Sequence, residues 1–93
     1  MLTRKHTQEL GFREGLAGTR YLRAAVNYIV PRTGKRPLLH GEVYPVLADE
    51  FGITVSAVEA AIRNTIRQSK LPGRTLDVIV ELVQRCRDGE FTA

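Results

Sequence analysis

The stretch LADEFGITVSAVEAAIR, Leu47 to Arg63, decides the fold. Two runs with apolar residues at helical spacing meet at a single glycine, Gly52. A helical hairpin that only closes a core needs that glycine and little else. A helix-turn-helix needs a small residue where two short helices cross, a turn residue that tolerates positive φ, and apolar wedges on either side. Ala48 is the small residue, and Gly52 stands four positions later. Leu47, Phe51 and Ile53 bracket the turn, and Val58 and Ala61 anchor the second helix inward. The spacing predicts a helix-turn-helix.

Glycine and proline divide the rest of the chain: Pro31, Gly34 and Pro37 cluster in PRTGKRP, Gly41 follows, and Pro72 and Gly73 stand in LPGRT. Upstream, LAGTRYLRAAVNYIV places Leu22, Ala25, Val26, Ile29 and Val30 on one helix face. Thr19 caps this helix, or the helix begins earlier with Gly18 inside it. Pro31 stops it, because the residue before a proline is pushed out of helical geometry. Pro45 restricts the next helix to a start near Glu42 or Val43, since proline is tolerated only in the first turn. Its buried side is expected to be Val43, Leu47, Ala48 and Phe51. The helix from Thr54 to about Lys70 buries Val58, Ala61, Ile62, Thr65 and Ile66. A last helix, Thr75 to about Arg87, buries Val78, Ile79, Leu82, Val83 and Cys86, with Thr75 expected as N-cap and Asp77 complementing the positive helix end. Residues 1–12 show no sustained period and read as a basic N-terminal arm. Residues 13–93 read as a single helix-turn-helix domain. The expected class is all-α: a small bundle of four helices containing a helix-turn-helix.

With the inward face of the helix 54–70 assigned, its outward stripe follows: Ser56, Ala60, Arg63 and Arg67, flanked by Ala57, Glu59 and Asn64, with Thr54 at the start. In a docked helix-turn-helix the N-terminal part of the second helix reaches base edges in the major groove. Thr54, Ser56, Glu59, Ala60 and Arg63 are therefore the expected base-contacting positions. Arg63 suits a guanine, and Glu59 can accept from a cytosine amine. Lys35, Arg36, His40, Asn64, Arg67 and Lys70 are the expected phosphate contacts. Two bland readings stand beside these. Ser56-x-x-Glu59 also fits a capping box, and Arg63 also fits a solvated surface arginine.

The formal net charge of the 93 residues is +4, unevenly spread. Residues 1–41 hold eight lysines and arginines against two acids; residues 42–93 hold six against eight. A basic half favours a polyanionic partner, although it also describes an ordinary solvated face. Residues 42–70 carry net −1, so PRTGKRP and the arm would have to supply much of the phosphate attraction.

The length fits one small domain, and 43% hydrophobic residues suffice for one modest core. No apolar run approaches the roughly 18 residues of a membrane span, and MLTRKHTQEL lacks the apolar stretch of a signal peptide. The single cysteine, Cys86, has no internal disulfide partner. A reducing bacterial cytoplasm, with nucleoid association when DNA is bound, is the expected home. His6, His40 and Cys86 have no ligand spacing, so no metal is expected. TGKRP lacks the remaining P-loop residues, and GFREGLAG lacks the strand a dinucleotide fold requires. No nucleophile, base and orienter can be assembled. The chain reads as a non-enzyme without cofactors.

GTRYLRAAV (18–26), EVYPVLADEFGITVSAVEAAIR (42–63) and the upstream ELGF (9–12) resemble the C-terminal effector domain of the sporulation-initiation response regulator of endospore-forming bacteria. That family shows a Gly-x-x-Tyr-Leu helix, a Leu-Tyr-Pro-like helix start and a Val-Glu-x-Ala-Ile-Arg recognition helix. The resemblance covers about residues 9–88. It implies an all-helical bundle, sequence-specific binding of double-stranded DNA, and copies arrayed as pairs on tandem sites. Two departures stand out. Ala57 and Ala60 occupy positions where the family usually has arginines. The segment that the family uses to touch RNA polymerase is shortened to KLPGRT, so transcription activation does not carry over. No receiver domain is expected ahead of the motifs, so regulation by phosphorylation in the family's way is not expected to carry over. A DNA-binding repressor or accessory factor is the first expectation. A protein-interaction module of the same fold, pairing with another regulator, is the alternative.

Overall fold

The computed structural model describes residues 1–32, 36–71 and 73–91. Among them are five α-helices: α1 Arg4–Glu9, α2 Ala17–Ile29, α3 Tyr44–Phe51, α4 Val55–Arg67 and α5 Thr75–Arg87. A π-helical turn, Leu39–Val43, leads into α3. No strand occurs among the described residues.

The central helix is α2, and α4 packs across it most closely. At Gly18 an added Cβ would stand 2.0 Å from the Ala61 carbonyl oxygen, so the two backbones touch where any side chain would separate them. At the next residue, Thr19 Oγ donates to the Arg13 carbonyl at 2.7 Å and lies 2.6 Å from Thr65 Oγ in the buried seam. A hydroxyl has one proton to give, so Thr65 is the donor to Thr19. Thr19 is thus a buried tie between helices rather than a cap, and α2 begins two residues before it.

Leu22, Ala25, Val26, Val58, Ile62, Ile79 and Leu82 are fully or almost fully buried and form the shared centre of α2, α4 and α5. The inward face expected of α5 is buried as far as Val83, and Cys86 is half-buried against the core. Burial pushes the Cys86 thiol up from its ordinary value. The cap of α5 differs from expectation. Arg74 holds the N-cap position with no side-chain hydrogen bond, and Thr75 is the first helical residue. At the other end of α5, Arg87 donates to the carbonyls of Ile29, Val30 and Arg32 at 2.9–3.1 Å. It thereby adds a side-chain donor to carbonyls at and just past the end of α2, where helical hydrogen bonding stops; Ile29 also accepts from Arg32 N–H at 2.8 Å.

The expected turn is present. Gly52 is left-handed at φ +67, closing α3, and Ile53 N–H donates to the Ala48 carbonyl at 3.0 Å. Pro45 sits in the first turn of α3. The buried side of this part is Val43, Tyr44 and Leu47, whereas Ala48 and Phe51 are only half-buried. Desolvation pushes the Tyr44 phenol up to about 12.

The first twelve residues are not a loose arm. Leu2 and Phe12 lie in the same core. Thr3 caps α1 in a reciprocal box with His6, and the Asn27 side chain holds both backbone groups of Leu2 at 2.8 Å. Arg23 binds Glu14 at 2.7 Å and Thr7 Oγ at 3.0 Å, and Thr7 donates to Glu14 at 2.9 Å. The Glu14 side chain is only 9% exposed. A six-residue helix has no stability of its own. These ties, which no local pattern reveals, fix it to α2.

Candidate nucleic-acid interface

Thr54 is the N-cap of α4, and its Oγ accepts from Ala57 N–H at 3.1 Å. This assigns the start of the helix to Thr54 rather than Ser56, so the Ser56–Glu59 capping box does not form. Val58, Ile62, Thr65 and Ile66 are buried on the inward face. Ser56, Ala57, Ala60, Arg63, Asn64 and Arg67 are exposed on the opposite side. The helical register read from the sequence is therefore the register of the fold.

Glu59 does something the period alone does not reveal. Its Oε1 pairs with Arg63 NH1 at 2.8 Å, one helical turn on. Its Oε2 lies 3.6 Å from His40 Nδ1. His40, on the π turn, packs edge-on to the Tyr44 ring at 5.1 Å. Glu59 thus stands between α4 and the turn that opens α3, bonded to the first and adjacent to the second.

Arg63 opens onto a groove of about 610 Å³ that is also lined by Arg36, Leu38, His40, Tyr44 and Arg74. A second cleft, about 430 Å³, joins Arg63, Arg67 and Arg74. Arg74 was not among the residues expected from sequence. It lies between two helices, outside any periodic pattern, and only the approach of the α5 start to α4 brings it beside Arg63. Arg36 is exposed at the rim of the first groove. Asn64 accepts from Gln68 at 3.1 Å on the helix surface. Lys70 stands past the end of α4, about 20 Å along the axis from Ser56, with its aliphatic stem against Gly11. Lys35 lies outside the described residues.

The basic N-terminal half does not form one face. Arg23 is committed to Glu14, and Arg4 lies 3.5 Å from the same carboxylate. Arg32 lies 3.7 Å over the Tyr28 ring and donates to the Tyr28 carbonyl. Arg20 sits over Phe51 beside the helix-turn-helix turn. Among the described residues, the groove beside Arg63 brings together Arg36 from the first half and Arg74 from the second, a grouping invisible to a count along the chain.

The sequence model of the family described as sporulation initiation factor Spo0A C terminal matches residues 3–87. The chain belongs to this family. The Spo0A C-terminal domain is a helical DNA-binding domain concerned with transcription regulation in sporulation, and it is not an enzyme family. No curated protein matches the chain. Among the described residues, no helix is long and apolar enough to cross a membrane, and no group of three or more side chains could hold a metal ion. DNA is the partner that membership in the Spo0A C-terminal family implies.

Proposed function

We propose that this chain is a sequence-specific regulator that lays α4 in the major groove of duplex DNA and acts as a repressor or accessory factor. The observation that carries this reading is the division of α4 into a buried face and an exposed stripe, with Arg36, Arg63, Arg67 and Arg74 gathered beside the stripe. Arg63 has the donor fork that suits a guanine edge, and Glu59 can accept from a cytosine amine. Thr54, Ser56 and Ala60 line the approach to the bases. Arg36, Asn64, Arg67 and Arg74 suit the flanking phosphates, with Lys35 and Lys70 extending the set. One such helix spans only a few base pairs, so two copies on tandem sites would supply the remaining specificity.

A salt-titrated binding assay tests the reading. With about five phosphate contacts, log Kd should change with log salt with a slope of magnitude about 4–5. Arg63→Ala should cost about 1–3 kcal/mol on the duplex recovered by in vitro selection and far less on mixed-sequence DNA. Equal losses on both would remove Arg63 from base recognition. Failure to bind any duplex at low salt would favour the protein-interaction module instead.

A further inference from the structure

Glu59 has one carboxylate and two basic neighbours, each at its own oxygen: Arg63 at 2.8 Å and His40 at 3.6 Å. The first distance is a charge-assisted hydrogen bond. The second is too long for any hydrogen bond and leaves His40 adjacent but unengaged. The groups facing His40 are Glu59 and Arg63 from α4, Tyr44 from α3, Arg36 from the preceding segment and Arg74 at the start of α5. Among the described residues, Glu59 is the only acid in that groove lining.

Building on the DNA-binding reading above, we propose that His40 is a positioning residue that decides whether Arg63 is tied to Glu59 or released to a base, so that specific DNA binding takes up a proton. With a neutral imidazole, Glu59 and Arg63 cancel, and NH1, one arm of the arginine fork, is held within the protein. With an imidazolium, three groups carry net +1 and one cation is surplus. His40 is short and held against Tyr44, so it stays beside the carboxylate. Both side chains are solvated, His40 at 70% exposure and Arg63 at 52%, so stem length decides: Arg63 is the one long enough to swing from the carboxylate to a base. The sign follows: a bound state that favours the released Arg63 favours protonated His40, and affinity rises as pH falls.

The test uses the full chain, the duplex recovered by selection and a mixed-sequence duplex of equal length, at fixed ionic strength. Wild type should bind the selected duplex about five- to ten-fold more tightly at pH 6 than at pH 8, the value of one added cation, with a clearly smaller change on mixed DNA. His40→Gln should bind at both pH values as wild type does at pH 8. His40→Lys should bind at both as wild type does at pH 6. An equal pH response on the two duplexes would make His40 a phosphate contact and overturn the proposal. A response that persists in His40→Gln would assign it to His6, which accepts from Thr3 N–H in the α1 cap, and would overturn it equally. A readout without DNA separates this idea from the DNA-binding reading. Side-chain nitrogen resonances of Arg63 in the free chain should shift between pH 8 and 6 in wild type and stay fixed in His40→Gln. If they do not move, the exchange does not occur, whatever the chain binds.

Discussion

The fold holds two clusters built from nearly the same parts, and they behave differently because of where they lie. Arg23, Glu14 and Thr7 form an arginine–carboxylate group with a third partner, as do Arg63, Glu59 and His40. In the first, the Glu14 side chain is 9% exposed and Arg23 19%. In the second, Glu59 is 35% exposed and Arg63 52%. A shielded pair cannot lose a partner without leaving an unpaired charge out of water. A solvated pair can, because water and salt replace the partner at little cost. The first cluster is therefore a fastener for α1. The second is available for exchange with a ligand.

The largest expected effect breaks the fastener. Glu14→Ala should destabilise the fold by about 3 kcal/mol, lowering Tm by about 10–20 °C, while the folded fraction keeps its DNA affinity. A loss below about 1 kcal/mol would put the two clusters in the same class. Next comes the alkaline limb of stability. Tyr44 is held neutral by burial, with its phenol raised to about 12. Its contribution is complete below the ordinary phenol value of about 10 and is lost as pH rises from there through about 12, by roughly 2–3 kcal/mol. Denaturant melts from pH 8 to 12 should lose that part of the decline in Tyr44→Phe.

Ala60→Arg sharpens the other half of the comparison. Ala60 is exposed, and arginine is a good helix former, so Tm should stay within a few degrees. DNA affinity should rise several-fold at low salt on all duplexes through the added charge. A folded mutant with unchanged affinity would mean that the exposed stripe does not meet DNA. The smallest effect belongs to Glu59→Gln, which removes an exposed i,i+4 pair and should cost about 0.3–0.5 kcal/mol in a thermal melt. A cost near that of Glu14→Ala would erase the distinction.

The helices with long apolar periods were legible from the residues. The bounds expected for α5 are those found, and the inward set of α4 is buried as read, with Ala61 partly so. α1 was not legible, because its six residues are held by Asn27, Arg23 and Glu14 from other parts of the chain. Burial of Tyr44 was also missed, since a tyrosine beside a proline at a helix start gives no periodic signal. At the interface, the exposed stripe followed from register alone. The partners of Glu59 did not, since Ser56-x-x-Glu59 and Glu59-x₃-Arg63 are equally good local patterns, and only the placement of His40 and the Thr54 cap separates them. Charge counted along the chain pointed to the right class of partner but not to its place, because the count includes Arg23, which pairs with Glu14, and the 42–70 window leaves out Arg74.

The backbone contact at Gly18 has a practical consequence for redesign. Because α4 is gripped through the Ala61 carbonyl and by the buried Val58, Ile62, Thr65 and Ile66, its mount does not depend on its outward residues. Positions 56, 57, 60, 63, 64 and 67 could be randomised together in a library with the scaffold left intact. The chain would then serve as a compact chassis for retargeting, provided that Gly18 and the buried Val58, Ile62, Thr65 and Ile66 are left unchanged.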